Sequence, residues 1–160
     1  MPKDIVSVTH TLLIKKKKTV AVAESCTGGL LSMLLTQNSG SSQYFIFGAV
    51  AYSNKIKERI LNIPTQLLLK KGAVTKETAS LMALSAKRMA KTDFGVGITG
   101  IAGPTGGAPQ KPVGTVFISV CSNHKVISQR YQFSGSRSAI RKKAALQALE
   151  LLRNMVIGNW

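Results

Sequence analysis

Acidic side chains are scarce in this sequence. The 160 residues include 6 aspartates and glutamates against 22 lysines and arginines, which gives a net charge of +16 at pH 7. The six acids are spread along the chain, and no two of them form the kind of carboxylate pair that general acid–base catalysis uses. The sequence therefore predicts no paired-carboxylate active site.

Cysteine and histidine are equally scarce. Two cysteines, Cys26 and Cys121, are too few for a disulfide scaffold, and this usage indicates a reducing cytoplasm. The two histidines, His10 and His124, do not have the spacing of metal ligands with these cysteines. We therefore expect neither a structural disulfide nor a bound metal.

Long apolar runs are absent too. No stretch approaches the roughly 18 residues of a membrane span. Near the N-terminus Asp4 precedes an apolar stretch and the lysines follow it, which is the reverse of a secretory signal peptide. We therefore expect a cytoplasmic protein with no membrane partner. Because 160 residues is the length of one typical domain and is enough to bury a core, the chain is predicted to fold as one domain over residues 1–160.

The excess of positive charge attracts polyanions, and nucleic acid is the obvious candidate partner. Most of the basic residues are scattered, apart from clusters at residues 15–18 and 141–143, and no aromatic platform for single strands lies among them. A basic surface that favours small phosphorylated substrates explains the same charge. We therefore expect any nucleic-acid binding to be weak and non-specific.

Short apolar runs alternate with helical patterns along the chain. Strands are predicted at 19–23 (TVAVA), 44–52 (YFIFGAVAY) and 94–98 (FGVGI), and a hairpin is predicted from VGTVFISV and VISQRYQF. The second strand is apolar almost throughout, which is typical of a strand covered on both faces. Helices are predicted over 4–16 and 28–37, after caps at Ser53 and Thr75, between Pro64 and Gly72, and after the segment SGSR. This order favours a single three-layer α/β/α domain on a mixed, mostly parallel sheet with a late β-hairpin.

The segment AESCTGG places three possible nucleophiles, Ser25, Cys26 and Thr27, where a strand turns into a helix. The backbone amides from Cys26 through Thr27 and Gly28 to Gly29 have no partner inside such a helix, so they are candidates for an oxyanion hole. An ordinary Ser/Thr helix cap explains the same residues. For the cysteine, a buried apolar role is the simpler interpretation, because a reactive thiolate needs a base.

No Ser–His–Asp set can be assembled from this sequence, so a serine nucleophile would need a lysine base. The segment AYSNKIK places Lys55 and Lys57 on the first turn of a capped helix, at the end of the second strand, and the spacing does not choose between them. The loop GITGIAGPTGG could wrap a ligand with its amides, and Arg137 could bind a phosphate at the start of the last helix.

Six segments, AESCTGG, GAVAYSNKIK, GAVTKETA, GITGIAGPTGG, KPVGTVFISV and FSGSR, occur in the order and spacing of the CinA C-terminal domain family, which the chain resembles from about residue 19 to 152. Standalone members of that family are nicotinamide-nucleotide amidases. The resemblance implies an α/β/α fold and a serine–lysine hydrolase that converts nicotinamide mononucleotide to nicotinate mononucleotide and ammonia, with no metal or cofactor. It also implies a homodimer.

The resemblance also implies roles for individual residues. The serine nucleophile matches Ser25, the lysine base matches Lys57, and the tyrosine between them in the relay matches Tyr52. The substrate-binding positions match Thr99 with the adjacent Gly100, and Arg137, which would contact the phosphate. Ser136 stands where the family commonly has an acid. The alternative function is that of a catalytically silent relative, associated with competence or DNA damage, that binds nucleic acid through its basic surface.

Overall fold

The structure is a computed structural model that describes residues 4–159, so residues 1–3 and 160 of the predicted domain lie outside the described residues. The described chain forms six α-helices and five β-strands. In chain order these are α1 (Ile5–Lys16), β1 (Val20–Glu24), α2 (Leu30–Thr36), β2 (Phe45–Val50), α3 (Asn54–Leu61), α4 (Thr65–Lys71), α5 (Lys76–Ala90), β3 (Phe94–Gly100), β4 (Thr115–Cys121), β5 (Val126–Gln132) and α6 (Arg137–Ile157).

The five strands form one sheet in the order β2-β1-β3-β4-β5. Strand β1 pairs in parallel with both β2 and β3, whereas β4 is antiparallel to β3 and forms a hairpin with β5. Helices α1, α2 and α6 cover one face of the sheet through the larger hydrophobic cluster, and α3, α4 and α5 contribute to a second cluster on the other face. The predicted α/β class and the mixed sheet with a late hairpin are therefore confirmed.

Side-chain caps fix the starts of three helices. Ser53 Oγ accepts from the Ile56 amide at α3, Thr75 Oγ1 accepts from the Thr78 amide at α5, and Ser136 Oγ caps α6 in the same way. Each cap satisfies an amide that the helix leaves without a partner. Because these signals are local, the predicted starts of α3, α5 and α6 are confirmed.

The prediction that the second strand is covered on both faces is wrong. Strand β2 lies at the edge of the sheet, and its burial alternates, with about half of the Ile46 and Val50 side-chain surfaces exposed. Strand β1, whose five residues are all buried, lies inside the sheet between β2 and β3. The apolar composition of β2 does not indicate its edge position, because edge position depends on strand order and not on the strand's own sequence.

Helix α2 begins later than predicted. Gly28 and Gly29 have φ angles of +59° and +98°, in the left-handed region that favours glycine, and the helix starts at Leu30. The Gly28 amide donates to the Ser25 carbonyl at 3.0 Å, which closes a tight turn directly after β1. The segment from Ser25 to Gly29 is therefore a turn of its own between strand and helix.

Candidate active site

A cleft of about 280 Å³ lies at the carboxyl ends of β1, β2 and β3. In open α/β sheets, ligands bind outside the carboxyl ends of the parallel strands. The cleft is lined by the turn after β1, the first turn of α3, the glycine-rich loop after β3 and the start of α6. The sequence-predicted residues that line it are Ser25, Cys26, Tyr52, Lys57, Thr99, Gly100 and Arg137.

Ser25 and Lys57 meet at the floor of this cleft. Ser25 follows β1 directly, and Lys57 projects from the first turn of α3, which Ser53 caps. The Lys57 Nζ atom lies 3.0 Å from the Ser25 Oγ atom, within hydrogen-bond distance. Both residues are buried, with 1% of Lys57 and 8% of Ser25 exposed. The neighbouring Lys55 is exposed, so the structure places only one of the two candidate lysines beside the serine.

The environment of Lys57 favours a neutral amine. Burial lowers the pKa of Lys57 below its ordinary value, and the nearby Cys26 thiol acts more weakly in the opposite direction. The three ion pairs among residues 4–159 involve Lys18, Lys71 and Arg153, so no described carboxylate holds a proton on Lys57 through an ion pair. A neutral lysine within reach of a serine hydroxyl can act as its general base.

The same burial makes Cys26 unreactive. Desolvation raises the pKa of its thiol to about 12, and only 6% of the residue is exposed. The thiolate is the nucleophilic form of cysteine, so little of it exists near neutral pH. The thiol therefore fits the buried apolar role that the sequence favours.

The predicted oxyanion hole is smaller than expected, and one reason is the side chain of Glu24. This side chain is fully buried, and the Gly29 amide donates to its carboxylate at 3.1 Å. The Gly28 amide is also occupied, by the carbonyl of Ser25. The prediction that both glycine amides face the ligand is therefore wrong. Within the described part of the chain, the amides of Cys26 and Thr27 donate to no backbone carbonyl and remain as candidate oxyanion donors.

Tyr52 also differs from its predicted role. Its hydroxyl accepts from Arg137 Nη2 at 2.9 Å, and 58% of the residue is exposed. Lys57 Nζ contacts the backbone carbonyl of Tyr52, at 3.3 Å, and not the phenol. The prediction that the tyrosine lies between Ser25 and Lys57 is therefore wrong, because those two side chains contact each other directly.

Arg137 joins two walls of the cleft. In addition to its bond with Tyr52, it donates from Nη1 to the Gly103 carbonyl at 2.7 Å. A guanidinium carries five N–H donors, so these two bonds leave others for a ligand. Ser136, in place of the acid common in the family, caps α6 by accepting from the Ala139 amide. The serine thus fulfils the capping role that an acid could have there.

Thr99 and Gly100 end β3 at the back of the cleft. The Thr99 side chain is buried, and its hydroxyl donates to the Ala73 carbonyl at 2.9 Å. This bond ties the loop before α5 to the sheet. A hydroxyl oxygen that donates can still accept, so Thr99 offers a ligand one acceptor position.

Sequence reasoning did not identify three features of the site. They are the carboxylate of Glu24, the side chain of Asn54 at the start of α3, and Thr105 in the loop after β3. Asn54 and Thr105 line the cleft, but each is a common residue in its kind of segment and gave no separate signal. The only signal for Glu24 was its place directly before the serine.

The part of the chain that the structure describes contains neither a metal-ligand cluster nor a membrane-spanning helix. Over residues 4–159, no group of three or more histidine, cysteine or acidic residues is arranged to hold a metal ion. None of the described helices combines the length and the apolar character that crossing a membrane requires.

The fold and the cleft together define an α/β protein with a buried serine–lysine pair at the carboxyl ends of its parallel strands. The family model of the CinA C-terminal domain matches residues 3–156. The chain therefore belongs to the CinA C-terminal domain family.

Curated relatives agree with this assignment. A "Putative competence-damage inducible protein" of Thermoanaerobacter pseudethanolicus is 46% identical over 156 residues, which cover 98% of this chain and 38% of the relative. A "CinA-like protein" of Thermotoga sp. is 50% identical over 147 residues, covering 92% of this chain and 36% of the relative. The chain thus spans less than two fifths of the length of these relatives.

Solved structures of similar length share the fold. The competence/damage inducible protein CihA of Agrobacterium tumefaciens has a TM-score of 0.89 and 36% identity, with 95% of each chain covered. A CinA superfamily protein of Enterobacter cloacae has a TM-score of 0.90 and 32% identity, with 95% of this chain and 90% of that chain covered.

Proposed function

We propose that this chain is an amidohydrolase that converts nicotinamide mononucleotide to nicotinate mononucleotide and ammonia. The observation that carries the proposal is the 3.0 Å contact between the buried Lys57 amine and the Ser25 hydroxyl at the floor of a cleft. Serine–lysine pairs of this kind activate the hydroxyl for attack on an acyl carbon. The substrate itself comes from the resemblance to standalone amidases of the family.

The reaction starts with a proton transfer from Ser25 Oγ to the neutral Lys57 Nζ. The oxygen attacks the carboxamide carbon, and the amides of Cys26 and Thr27 donate to the oxyanion that forms. The C–N bond then breaks, and ammonia leaves with the proton from Lys57. Water hydrolyses the acyl-enzyme, with Lys57 again as base, and releases the nicotinate product.

The far end of the cleft supplies the positive charge that a mononucleotide needs. Arg137 is the first residue of α6, so its positive side chain extends from a helix start, which itself favours anions. Its bonds to Tyr52 and Gly103 hold the side chain at the mouth of the cleft. We assign the substrate phosphate to this end and the carboxamide to the Ser25 end.

Arg137→Ala tests this orientation. We expect the kcat/KM for nicotinamide mononucleotide to fall about 10- to 150-fold, because a charge-assisted hydrogen bond contributes about 1.5–3 kcal/mol. Nicotinamide riboside lacks the phosphate, so its kcat/KM should change little. Ammonia release from both compounds provides the measurement.

Arg88→Ala is the matched control for the change in net charge, because Arg88 is exposed near the end of α5. It should leave the kinetics with both compounds unchanged. Equal losses on nucleotide and riboside in the Arg137 variant would show that this arginine shapes the cleft without binding the phosphate.

The net charge of +16 favours a second candidate function, binding of nucleic acid. Most of the excess basic charge is available to a partner, since only three ion pairs form among the described residues. If the basic surface carries this binding, affinity for duplex DNA should fall steeply between ~50 and 200 mM salt and be independent of sequence. Fluorescence anisotropy with two unrelated duplexes measures both properties. Tight, sequence-dependent binding at 200 mM salt would instead favour a dedicated nucleic-acid function.

A further inference from the structure

Glu24 lies next to the proposed nucleophile, and its carboxylate accepts four hydrogen bonds. The Gly29 and Leu31 amides donate to Oε2 at 3.1 and 3.0 Å. The amide and the hydroxyl of Ser32 donate to Oε1 at 2.8 and 2.7 Å. All four partners are donors, and four is the acceptor capacity of an ionised carboxylate. The side chain is fully buried, so these bonds replace its contacts with water.

The carboxylate occupies the place that an external anion takes at many helix starts. Free amides at the first turn of a helix attract anions such as phosphate. In α2 the amides of Leu31 and Ser32, with that of Gly29 before them, are already bound to Glu24. The start of α2 is therefore closed to a substrate anion, which agrees with the assignment of the phosphate to Arg137.

The backbone of Glu24 is fixed as well. Its carbonyl accepts from the Ala51 amide at 2.8 Å, next to the end of β2. The following residue, Ser25, donates its amide to the Ile98 carbonyl of β3 at 3.0 Å. The turn from Ser25 to Gly29 therefore begins at a strand end held by both neighbours and ends at amides held by the Glu24 side chain. One residue thus ties both ends of the turn together.

We propose that Glu24 is a positioning residue that holds the Ser25 turn against the start of α2 and so keeps Ser25 Oγ within reach of Lys57. This inference rests on the proposed function only in taking Ser25 as the nucleophile. Glu24 does not line the cleft and forms no hydrogen bond or ion pair with Lys57, so it acts through the geometry of the turn. A displacement of about 1 Å in such a geometry can lower a rate about 100-fold.

Glu24→Gln keeps the size of the side chain but replaces one acceptor oxygen with an NH₂ group. The NH₂ group must face either the two amides now on Oε2 or the Ser32 amide now on Oε1. In both orientations an N–H donor of the glutamine meets an N–H donor of the backbone, and those hydrogen bonds are lost. We expect the turn to shift while the rest of the sheet remains folded. Glu24→Asp keeps the charge but is one methylene shorter, so it should also lose part of the network.

The experiment uses a short-chain alkyl fluorophosphonate, intact-mass detection of the labelled protein, and peptide mapping to locate the label. An Oγ–P bond forms at Ser25, the P–F bond breaks, fluoride leaves, and the serine proton passes to Lys57. Labelling is run well below the melting midpoint of each variant, where nearly all molecules are folded, so the first-order rate constant at saturating probe reports the geometry of the site. Irreversibly misfolded molecules appear only as a lower final labelled fraction. Positioning and mere destabilisation therefore give different results.

Asp93→Asn is the matched control. Asp93 is a carboxylate bound by the Thr19 amide and hydroxyl and by Lys18, at the opposite end of β1 and β3. Its replacement should lower thermal stability without changing the rate constant of labelling. In Glu24→Gln and Glu24→Asp we expect that constant to fall at least ~10-fold with full final labelling. The midpoint of its pH profile should remain that of the wild type, because Lys57 stays buried.

Three outcomes overturn the proposal. A wild-type rate constant in the folded Glu24 variants shows that the carboxylate only stabilises the fold. A shifted pH midpoint shows that Glu24 acts on the charge of Lys57 and not on the position of Ser25. A wild-type protein that is not labelled at Ser25 refutes the nucleophile itself, and therefore the proposed function together with this inference. The first two outcomes leave the proposed function intact.

Discussion

Ser25→Ala is expected to lower the rate of ammonia release from nicotinamide mononucleotide by on the order of 10³-fold or more, since it removes the atom that would form the acyl-enzyme. The loss should appear in kcat, because the hydroxyl is needed for chemistry and not for binding the nucleotide. The change deletes one oxygen from a buried side chain, so the fold should persist. Steady-state kinetics and a thermal melt measure the two effects.

Cys26→Ser is the matched control for this variant. Cys26 lies in the same turn and lines the same cleft, and its thiol is held protonated by burial, with a pKa of about 12. We expect it to retain most of the wild-type kcat. If the cysteine variant is inactive and the alanine variant at Ser25 is active, the nucleophile is assigned to the wrong residue.

Lys57→Arg and Lys57→Ala are expected to be about equally inactive. Arginine keeps the positive charge but does not release its proton near neutral pH, so it cannot act as a base. Lys55→Ala changes the charge on the same helix turn at an exposed position and should be nearly normal. Measured kcat values for the three variants separate proton transfer from simple charge. An active arginine variant would mean that Lys57 supplies only charge.

The pH dependence of wild-type activity also tests whether Lys57 acts as a base. Burial lowers the pKa of Lys57 below the ordinary lysine value of about 10.4. The neutral amine is the active form, so activity should rise with pH through one ionisation below that value. Activity that rises only near the ordinary value would indicate that the lysine is not desolvated in the working enzyme.

The sequence predicted the parts of this molecule that depend on local signals. The caps at Ser53, Thr75 and Ser136 each act within one helical turn, and the starts of those helices were correct. The order of strands and helices was sufficient for the α/β class. The edge position of β2 was not predictable in this way, because an apolar strand such as YFIFGAVAY looks the same at the edge and in the centre of a sheet.

Within the site, the sequence predicted which residues lie near each other better than which of their atoms are in contact. Residue reasoning left Lys55 and Lys57 open, the family resemblance implied Lys57, and the structure brings that lysine to Ser25. The direction of the Tyr52 hydroxyl depends on a side-chain torsion at a strand end, which no sequence pattern encodes. The partners of Glu24 are mostly backbone amides, which every residue carries, so the sequence contains no sign of them.

Ammonia release from nicotinamide mononucleotide by the purified chain tests the central claim most directly. Ser25→Ala, purified in parallel, reports any contaminating activity, and mass spectrometry identifies the second product. The account predicts one ammonia and one nicotinate mononucleotide for each substrate consumed by the wild type, well above the Ser25→Ala background. Ammonia release no greater than that of the serine variant would contradict it.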